Sequence, residues 1–333
     1  MSRTYLVTGG AGFIGSYVCE ALLERGDDVV ALDDLSTGRL ENLAAAHGNR
    51  RLLMIEGSVL DEPLVSNLAR RCDAIVHLAA AVGVRLVVER PLHSLLTNIR
   101  GTEVVFDAAA RHRIPVLLAS SSEIYGKNVD MPLTEDADRV LGPPDSMRWS
   151  YAIGKSVDEI YAFTYQAERR VPSVIVRLFN VIGPRQSPAY GMVVPRFVRQ
   201  ALRGVPMTVH GDGNQTRTFC HVRDAVDAML RLMDTPAAGG QAFNVGGTEE
   251  LTVLALAHRI RAIVGSASPV RLVPYDEAYA PGFEDMTRRV PDISKVRALT
   301  GWRPLRTLDD TIGEIVADAR GVPAMPRPYL VSF

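Results

Sequence analysis

The chain has 333 residues, which is long for a single hydrophobic core, so we expect one large domain and one smaller domain. Apolar residues make up 47% of the sequence and charged residues 23%, a balance typical of globular proteins. The formal net charge of -1 and the absence of an apolar run long enough to span a bilayer argue against nucleic acid or a membrane as a partner. Three cysteines without a CxxC spacing, and an N-terminus without a leader-like segment, predict a cytoplasmic protein.

The first half of the sequence alternates short apolar runs with segments of helical periodicity. The apolar runs predict strands at residues 5–8, 29–32, 52–55, 74–78, 116–119 and 174–178. Helices are predicted between them at residues 14–25, 61–71, 92–112 and 149–169. This alternation is typical of an α/β fold with a doubly wound parallel sheet, in which helices cover both faces and ligands bind at the carboxyl ends of the strands.

After Phe179 the alternation stops, and glycine and proline become frequent. A strand-like stretch at residues 243–246 and a helix at 252–264 come later in the chain. We therefore expect a two-domain protein. Residues 1–179 and 214–248 would form the domain with the parallel sheet, and residues 180–213 and 249–333 a smaller, mixed domain.

A glycine-rich turn follows the first predicted strand, in the stretch 7-VTGGAGFIGSYVCEALLERG-26. Gly9 permits a tight turn, Gly12 lets the backbone approach a pyrophosphate, and Gly15 lets the next helix pack closely on the strand. Asp33 ends the second strand, 18 residues after Gly15, where its carboxylate can accept both hydroxyls of a ribose and would repel a 2′-phosphate. Together these features favour NAD over NADP, although the glycines alone fit any strand–turn–helix and Asp33 alone could cap a helix.

Tyr151 and Lys155 are four residues apart in 149-WSYAIGKSVDEIY-161, a stretch of helical periodicity, so their side chains share one face. An ammonium beside a phenol lowers the pKa of the phenol, and the phenolate can remove a hydroxyl proton while a hydride leaves the same carbon. Taken alone, this pair fits an exposed helix surface better than a site. It becomes specific only together with the glycine turn and with the serines at 120–122, which follow a buried strand.

Several motifs taken together resemble the extended short-chain dehydrogenase/reductase family, in the branch of NAD-dependent nucleotide-sugar epimerases, dehydratases and decarboxylases. The resemblance covers about residues 3–315 and rests on TGGAGFIG, Asp33, HLAAAVG (77–83), NIRGT (98–102), SSSEIYG (120–126), the YxxxK pair and RLFNVIGPR (177–185). It implies a Rossmann-type fold and an NAD that is tightly held and recycled. It also implies that a sugar C4 hydroxyl is oxidised to a ketone, which is later reduced.

The family resemblance assigns a set of cofactor contacts. They are Gly9, Gly12, Phe13, Ile14, Gly15, Asp33, Ser58, Val59, Leu78, Ala79, Ala80, Asn98, Ala119, Tyr151, Lys155 and Val181. One position departs from the family pattern, because Ser58 stands where an aspartate usually binds the adenine amine. A hydroxyl accepts that hydrogen bond more weakly than a carboxylate, so we expect a weaker adenine contact at this position.

The same resemblance assigns roles around the sugar. Ser121 would hydrogen-bond the C4 oxygen, Tyr151 would act as the base, and Lys155 would bind the nicotinamide ribose. Arg217 and Arg289 would grip the nucleotide diphosphate, since the arginine fork suits phosphate, although each arginine alone could be a solvated surface charge. The full set of predicted substrate contacts is Val84, Arg85, Asn180, Arg185, Val194, Arg217 and Arg289.

We predict no metal site, because His77 and His221 share no ligand spacing with a cysteine or carboxylate. Many members of the family dimerise through a four-helix face, and residues 92–112 and 150–169 could supply it here. A homodimer is therefore expected.

Three reactions can follow from a 4-keto sugar: reduction on the other face, loss of water across C5–C6, or loss of CO2 from a C6 carboxylate. Dehydratases of the family carry an Asp-Glu pair, and Ser122 replaces its acid here. Uronic-acid decarboxylases resemble the chain more closely, through 121-SSEIYG-126, through Arg289 before V-P-D-I, and through 148-RWSYAIGK-155. Glu123 is then the discriminating residue, since a simple 4-epimerase has little need of it. We count Ser121, Ser122, Glu123, Tyr151 and Lys155 as the catalytic set.

The resulting hypothesis is a UDP-glucuronate decarboxylase, with a UDP-glucose or UDP-glucuronate 4-epimerase as the main alternative. The stretch at residues 183–202 weighs against the decarboxylase, because it occurs broadly in the family and because Arg185 could hold a uronate carboxylate against CO2 loss. A 4,6-dehydratase and a non-catalytic NAD-sensing protein are weaker alternatives.

Overall fold

The computed structural model describes residues 2–82, 91–188, 192–278 and 284–321. Its strands are β1 (Thr4–Thr8), β2 (Asp28–Asp33), β3 (Leu52–Glu56), β4 (Ala74–His77), β5 (Val116–Ser121), β6 (Ser173–Leu178), β7 (Val181–Ile182), β8 (Met207–His210), β9 (Thr216–Arg217), β10 (Cys220–His221), β11 (Gln241–Val245), β12 (Leu251–Thr252), β13 (Val270–Val273) and β14 (Arg288–Arg289).

The helices surround these strands. They are α1 (Phe13–Glu24), α2 (Glu62–Ala69), α3 (Pro91–Leu95), α4 (Gly101–His112), α5 (Ser150–Arg169), α6 (Val193–Leu202), α7 (Val222–Met233), α8 (Val253–Val264), α9 (Tyr275–Ala278), α10 (Ser294–Thr300) and α11 (Leu308–Ala319). A π-helical turn (Leu96–Arg100) joins α3 to α4, and short 3₁₀ helices cover Leu40–Ala46, Ser122–Tyr125, Met147–Trp149 and Pro236–Ala238.

A seven-stranded sheet with the order β11-β6-β5-β4-β1-β2-β3 forms the body of the molecule, and all its neighbouring strands are parallel. Helices pack on both faces, so its inner strands are buried on two sides and read as continuous apolar runs. In β1, Tyr5 and Val7 belong to the core on one face and Leu6 to the core on the other. The chain order reverses between β1 and β4, and ligands bind in the crevice at such a point.

The rest of the chain builds a smaller region beside the carboxyl edge of the large sheet. β8 pairs with β13, β7 with β10, and β9 lies between β12 and β14. A separate apolar core holds this region together through α6, α8 and α11, with Phe197, Leu256 and Ile312 fully buried.

The predicted fold class is confirmed, and the predicted strands of the large sheet agree with the structure to within two residues at each end. The predicted helix at 92–112 is interrupted by the π-helical turn. β11 lies in the large sheet beside β6, whereas β9 and β10 lie outside it. The division into two domains stays a prediction. No helix in the described part of the chain is long and apolar enough to cross a membrane.

Candidate active site

A cavity of about 590 Å³ opens where the carboxyl ends of the parallel strands face the smaller region. It is lined by the glycine turn after β1, by the ends of β2, β4 and β5, and by α5. Its other wall comes from the smaller region, including α6, β8 and the segment that leads into β14. The cavity therefore has one end formed mainly by the large sheet and one formed mainly by the smaller region.

The glycine turn is closed too tightly for side chains. Gly9 has φ +70°, a conformation that favours glycine. A Cβ at Gly15 would lie 2.0 Å from the carbonyl oxygen of Gly9, and a Cβ at Gly9 would lie 2.8 Å from the backbone nitrogen of Ala79. α1 begins at Phe13, directly after the turn, so the N–H groups of its first turn are available to phosphate oxygens. This arrangement fits the pyrophosphate of a dinucleotide.

Asp33 lies in the cavity wall at the end of β2. Its Oδ2 accepts a hydrogen bond from the N–H of Ala11, and its Oδ1 accepts one from the N–H of Leu35, each at 2.9 Å. Burial raises the pKa of Asp33, and the backbone hydrogen bonds partly offset that rise. A carboxylate has lone pairs left after two such bonds, so it can still receive ribose hydroxyls.

Most of the predicted cofactor contacts line the cavity. They are Gly9, Gly12, Phe13, Ile14, Gly15, Asp33, Val59, Leu78, Ala79, Ala80, Ala119, Tyr151, Lys155 and Val181. Ser58 and Asn98 do not line it. Ser58 accepts a hydrogen bond from the N–H of Leu60 at 3.2 Å. Asn98 accepts one from the N–H of Ala81 at 2.7 Å and so shapes the turn after β4.

Tyr151, Ser121 and Lys155 meet where β5 ends beside α5. The Lys155 ammonium donates to the carbonyl of Ala119 at 3.1 Å and to Oδ2 of Asp158 at 2.9 Å. Burial raises the pKa of Tyr151, while the Lys155 charge and a hydrogen bond with Ser121 lower it by less. The sequence predicts that the Lys155 ammonium lowers the pKa of Tyr151, and the Lys155 charge does act in that direction. The effect of burial is larger, so the pKa of Tyr151 lies above its ordinary value.

Glu123 lies in the 3₁₀ turn after β5 and is held between two arginines. Oε2 accepts a hydrogen bond from Nη1 of Arg148 at 2.7 Å, and Oε1 accepts one from Nη1 of Arg289. Burial alone would raise the pKa of Glu123, but the charges of Arg289 and Arg148 outweigh it and lower the pKa to about 2. Glu123 is therefore a fixed negative charge at neutral pH.

Arg289 and Arg217 share the wall that the smaller region contributes. Nη2 of Arg289 donates to Oδ1 of Asn180 at 2.7 Å, and Asn180 donates to the carbonyl of Thr218 at 2.8 Å. Nη2 of Arg217 pairs with Asp285 at 3.0 Å. β9 and β14 are adjacent parallel strands with Arg217 opposite Arg289, so the two cations lie side by side. Such a pair suits an anionic group.

The structure does not bring Arg185 into the cavity. Its guanidinium pairs with Glu20 at 2.6 Å, donates to Ser16 and lies 4.4 Å above the ring of Tyr17. These partners belong to α1, on the other side of the glycine turn. Of the other predicted substrate contacts, Asn180, Val194, Arg217 and Arg289 line the cavity, while Val84 and Arg85 lie outside the described residues.

Several cavity residues were missed by the sequence reasoning. They include Arg148, Arg196, His210, Gln215, Phe219, Tyr275 and Asp285. Arg148 had a usable signal, because it stands three residues before Tyr151, in the short 3₁₀ helix that leads into α5. The others come from separate segments of the smaller region, where no local spacing links them to the site.

Comparisons with known proteins agree with this geometry. The model of the NAD dependent epimerase/dehydratase family matches residues 5–246. UDP-N-acetyl-alpha-D-glucosaminuronate decarboxylase of Bacillus cytotoxicus is 38% identical over 305 residues, which cover 91% of this chain and 94% of that protein. UDP-glucuronic acid decarboxylase 1 of Arabidopsis thaliana is 35% identical over 315 residues, 95% of this chain and 69% of that protein. The crystal structure of UDP-glucuronic acid 4-epimerase from Bacillus cereus, in complex with UDP-glucuronic acid and NAD, superposes with a TM-score of 0.86 at 28% identity, covering 96% of this chain and 100% of that one.

Proposed function

The chain belongs to the NAD-dependent epimerase/dehydratase family, and we propose that it removes CO2 from UDP-glucuronic acid, or a close UDP-uronic acid, to give a UDP-linked pentose. The observation that carries this choice of reaction is the clamp on Glu123, whose two oxygens occupy donors of Arg148 and Arg289. All three side chains line the cavity.

The three charged groups of the clamp can attract the carboxylate of a uronate without binding it tightly. Two arginines and one carboxylate leave one net positive charge, which attracts the substrate carboxylate. Full pairing of both arginines with that carboxylate would stabilise the ground state and slow its departure as neutral CO2. Because Glu123 occupies one N–H donor on each arginine, the substrate carboxylate is held less tightly. With a pKa of about 2, Glu123 acts through its charge and not by exchanging protons.

The oxidation step uses residues on β5 and α5. Tyr151 takes the proton of the C4 hydroxyl as its phenolate, the form that the Lys155 charge favours and burial opposes, and Ser121 holds the C4 oxygen by a hydrogen bond. The Lys155 ammonium stabilises the phenolate and binds the ribose next to the reacting ring. The glycine turn and Asp33 would hold NAD, which would supply the acceptor for the C4 hydride and the source of its later return.

The 4-keto uronate is a β-keto acid, and its C5–C6 bond breaks as CO2 leaves. The electron pair of that bond moves to the C4 oxygen, where Ser121 and Tyr151 stabilise the enolate by hydrogen bonds. A proton from solvent water is then added at C5, and as hydride would be returned to C4, Tyr151 gives its proton back to the C4 oxygen. Arg217 is placed to hold the diphosphate, with Asp285 as its partner in the protein.

The test is an incubation with UDP-glucuronic acid and catalytic NAD, followed by mass spectrometry of the nucleotide sugar. We expect the loss of one CO2 per molecule of substrate. A parallel incubation with UDP-N-acetylglucosaminuronic acid tells which uronate is preferred. A product of unchanged mass with an inverted C4 centre would replace the decarboxylase by the second candidate, a UDP-sugar 4-epimerase, which the likeness to the Bacillus cereus epimerase favours.

The homodimer and the cytoplasmic location belong to the same proposal. Four exposed apolar side chains on α3, the π-helical turn and α5 support a helical dimer face: Leu92, Leu96, Ile160 and Phe163. Leu92 is 69% exposed and Ile160 57% exposed, which is high for apolar side chains on packed helices. Light scattering after gel filtration should give twice the chain mass, and Ile160→Asp should give the single mass. A wild-type monomer would remove the dimer from the proposal.

A further inference from the structure

Asp158 is a fully buried carboxylate that none of the proposed steps uses. It lies on α5, three residues after Lys155, and its Oδ2 accepts a hydrogen bond from the Lys155 ammonium at 2.9 Å. Its side chain is 0% exposed and that of Lys155 only 4%. Burial raises the pKa of Asp158, and the Lys155 charge, the Lys155 hydrogen bond and a hydrogen bond with Thr102 partly offset that rise. A carboxylate buried this deeply is costly, so its position directly under the proposed catalytic lysine calls for a reason.

The inference rests on the proposed function and deepens it. We propose that Asp158 is a positioning residue, which aims the Lys155 ammonium at the cavity and sets the pH range over which Tyr151 and Lys155 work as a pair.

The first part of the role follows from hydrogen-bond geometry. An ammonium has three N–H donors. Two of those of Lys155 are taken by the carbonyl of Ala119 and by Asp158, and these two bonds fix the direction of the third. Lys155 lines the cavity, so the third donor is kept for a group bound there.

The second part follows from charge. Burial lowers the pKa of Lys155, but the charge and hydrogen bond of Asp158, together with the smaller effects of Tyr151 and Glu159, outweigh it, so the pKa is raised and the ammonium keeps its proton. The same negative charge raises the pKa of Tyr151, in addition to the larger effect of burial. A carboxylate at this position thus shifts the titrations of the base and of the lysine in one direction, towards higher pH.

Most other titratable groups near the pair are matched by a partner or neutral. Glu123 is clamped by Arg148 and Arg289. Burial and the Lys155 charge lower the pKa of His77 to about 3, so it is neutral at working pH. On α5 itself, Glu159 pairs with Arg139, Arg177 and Ser120. On the elements packed against α5, Arg100 pairs with Glu103 and Asp107 with Tyr165, and His93 of α3 lines the cavity. Asp158 is, among the described carboxylates, the one whose ion pair is with Lys155 itself.

The sign of the effect is definite. Asp158→Asn keeps the shape of the side chain and removes its negative charge. Both Lys155 and Tyr151 then lose their protons more easily, so the acid limb and the alkaline limb of the pH–rate profile move together to lower pH. We expect a shift of about one pH unit, which is typical for one buried neighbouring charge.

The experiment compares pH profiles of kcat and kcat/KM for the holoenzyme and its Asp158→Asn variant with UDP-glucuronic acid. Asp158→Glu should return the profile towards that of the unchanged protein, because the charge is restored. Asp158→Ala serves as a second neutral variant in case the asparagine variant does not fold, and it should shift in the same direction. Asp227→Asn is the matched control, since Asp227 pairs with Arg231 one turn away on the remote helix α7.

A second readout needs no turnover. Ultraviolet difference titration of tyrosinate, taken as each protein minus its Tyr151→Phe counterpart, isolates the ionisation of Tyr151. In the Asp158→Asn background it should occur about one pH unit lower. If both limbs of the pH–rate profile and the tyrosinate titration keep their pH values while the rate falls equally at every pH, Asp158 is only structural and the inference is wrong. If the unchanged protein does not decarboxylate any UDP-uronate, the proposed function fails, and the tyrosinate titration still decides the role of Asp158.

Discussion

The two ends of the cavity are built on different principles. The end proposed for the dinucleotide is a short stretch of chain after β1, shaped by backbone contacts so close that a Cβ at Gly15 would meet the Gly9 carbonyl at 2.0 Å. The end proposed for the sugar brings together side chains from distant segments, and ion pairs such as those of Glu123 and Arg217 hold it in place. The first end depends on steric fit and the second on charge balance. Substitutions should therefore damage them in different ways.

The largest effect is expected at the steric end. Gly15→Ala places a methyl group against the Gly9 carbonyl, so the turn has to open and α1 has to move away from β1. We expect loss of NAD from the purified protein and a fall in stability of about 3 kcal/mol, in the range of overpacked cores. Retained NAD and thermal unfolding at the wild-type temperature would contradict this. Gly313→Ala in α11 is the control, because open space surrounds that position and alanine favours a helix.

At the charged end, Glu123→Gln should reduce decarboxylation by about a hundredfold or more, comparable to other losses of preorganised electrostatics. NAD binding should be unchanged, because Glu123 belongs to the opposite end of the cavity. Since the pKa of Glu123 is about 2, its carboxylate is ionised throughout the pH range of the assay, and the unchanged enzyme should show no activity limb from it. Rates measured from pH 5 to 9, together with NAD affinity by calorimetry, check both statements. Full activity in this variant would remove the role assigned to the clamp.

A smaller effect on KM should distinguish Arg217 from Arg185, which the sequence predicts alike as substrate contacts. Arg217→Lys keeps the charge but loses the fork that suits a diphosphate, so KM for the UDP-sugar should rise about tenfold with little change in kcat. Arg185→Lys should leave KM within about twofold, since Arg185 pairs with Glu20 outside the cavity. Steady-state kinetics of the two variants, side by side, test this. Equal rises in KM would mean that Arg185 reaches the substrate after all.

The smallest effect is expected at the adenine. Ser58→Asp restores the carboxylate usual in the family, and its stronger hydrogen bond should tighten NAD binding by a few-fold, about 1 kcal/mol. Calorimetric titration of NAD into the cofactor-free protein measures it. Ser58 does not line the cavity, so unchanged affinity would show that the adenine is held by Val59 and its neighbours alone.

The sequence predicts the end of the cavity that is built from local stretches of chain better than the end that is built from distant segments. The glycine turn, Asp33 and the helical Tyr151–Lys155 pair depend on local spacing, and each could be placed before the fold was known. Arg185 shows the limit, since its motif matched while its side chain turned towards α1. Asp285 and His210 come from segments whose approach to the site depends on long-range pairing, such as that of β8 with β13. No sequence period encodes such contacts.

The ion pairs that neutralise buried charges in the cavity are the part of the site that is hardest to predict from the sequence. The position of Glu123 in the cavity wall could be inferred from its place after β5, but its clamping by Arg148 and Arg289, 25 and 166 residues away, could not. The consequence for its chemistry is large, because the same carboxylate without these arginines would have its pKa raised by burial. In such a site the residue type indicates a possible role, and the charges of the neighbouring side chains determine the protonation state in which the residue acts.

Asp33 has a consequence for redesign of coenzyme preference. Its carboxylate braces the loops on both sides, through the N–H groups of Ala11 and Leu35, and a Cβ at Gly38 would come within 2.6 Å of it. A small neutral residue introduced to admit a 2′-phosphate would also release both of these backbone donors. A switch towards NADP in this protein therefore has to rebuild residues 33–39 together with the glycine turn. The reason is that the Asp33 side chain both discriminates against a 2′-phosphate and holds the two loops by hydrogen bonds.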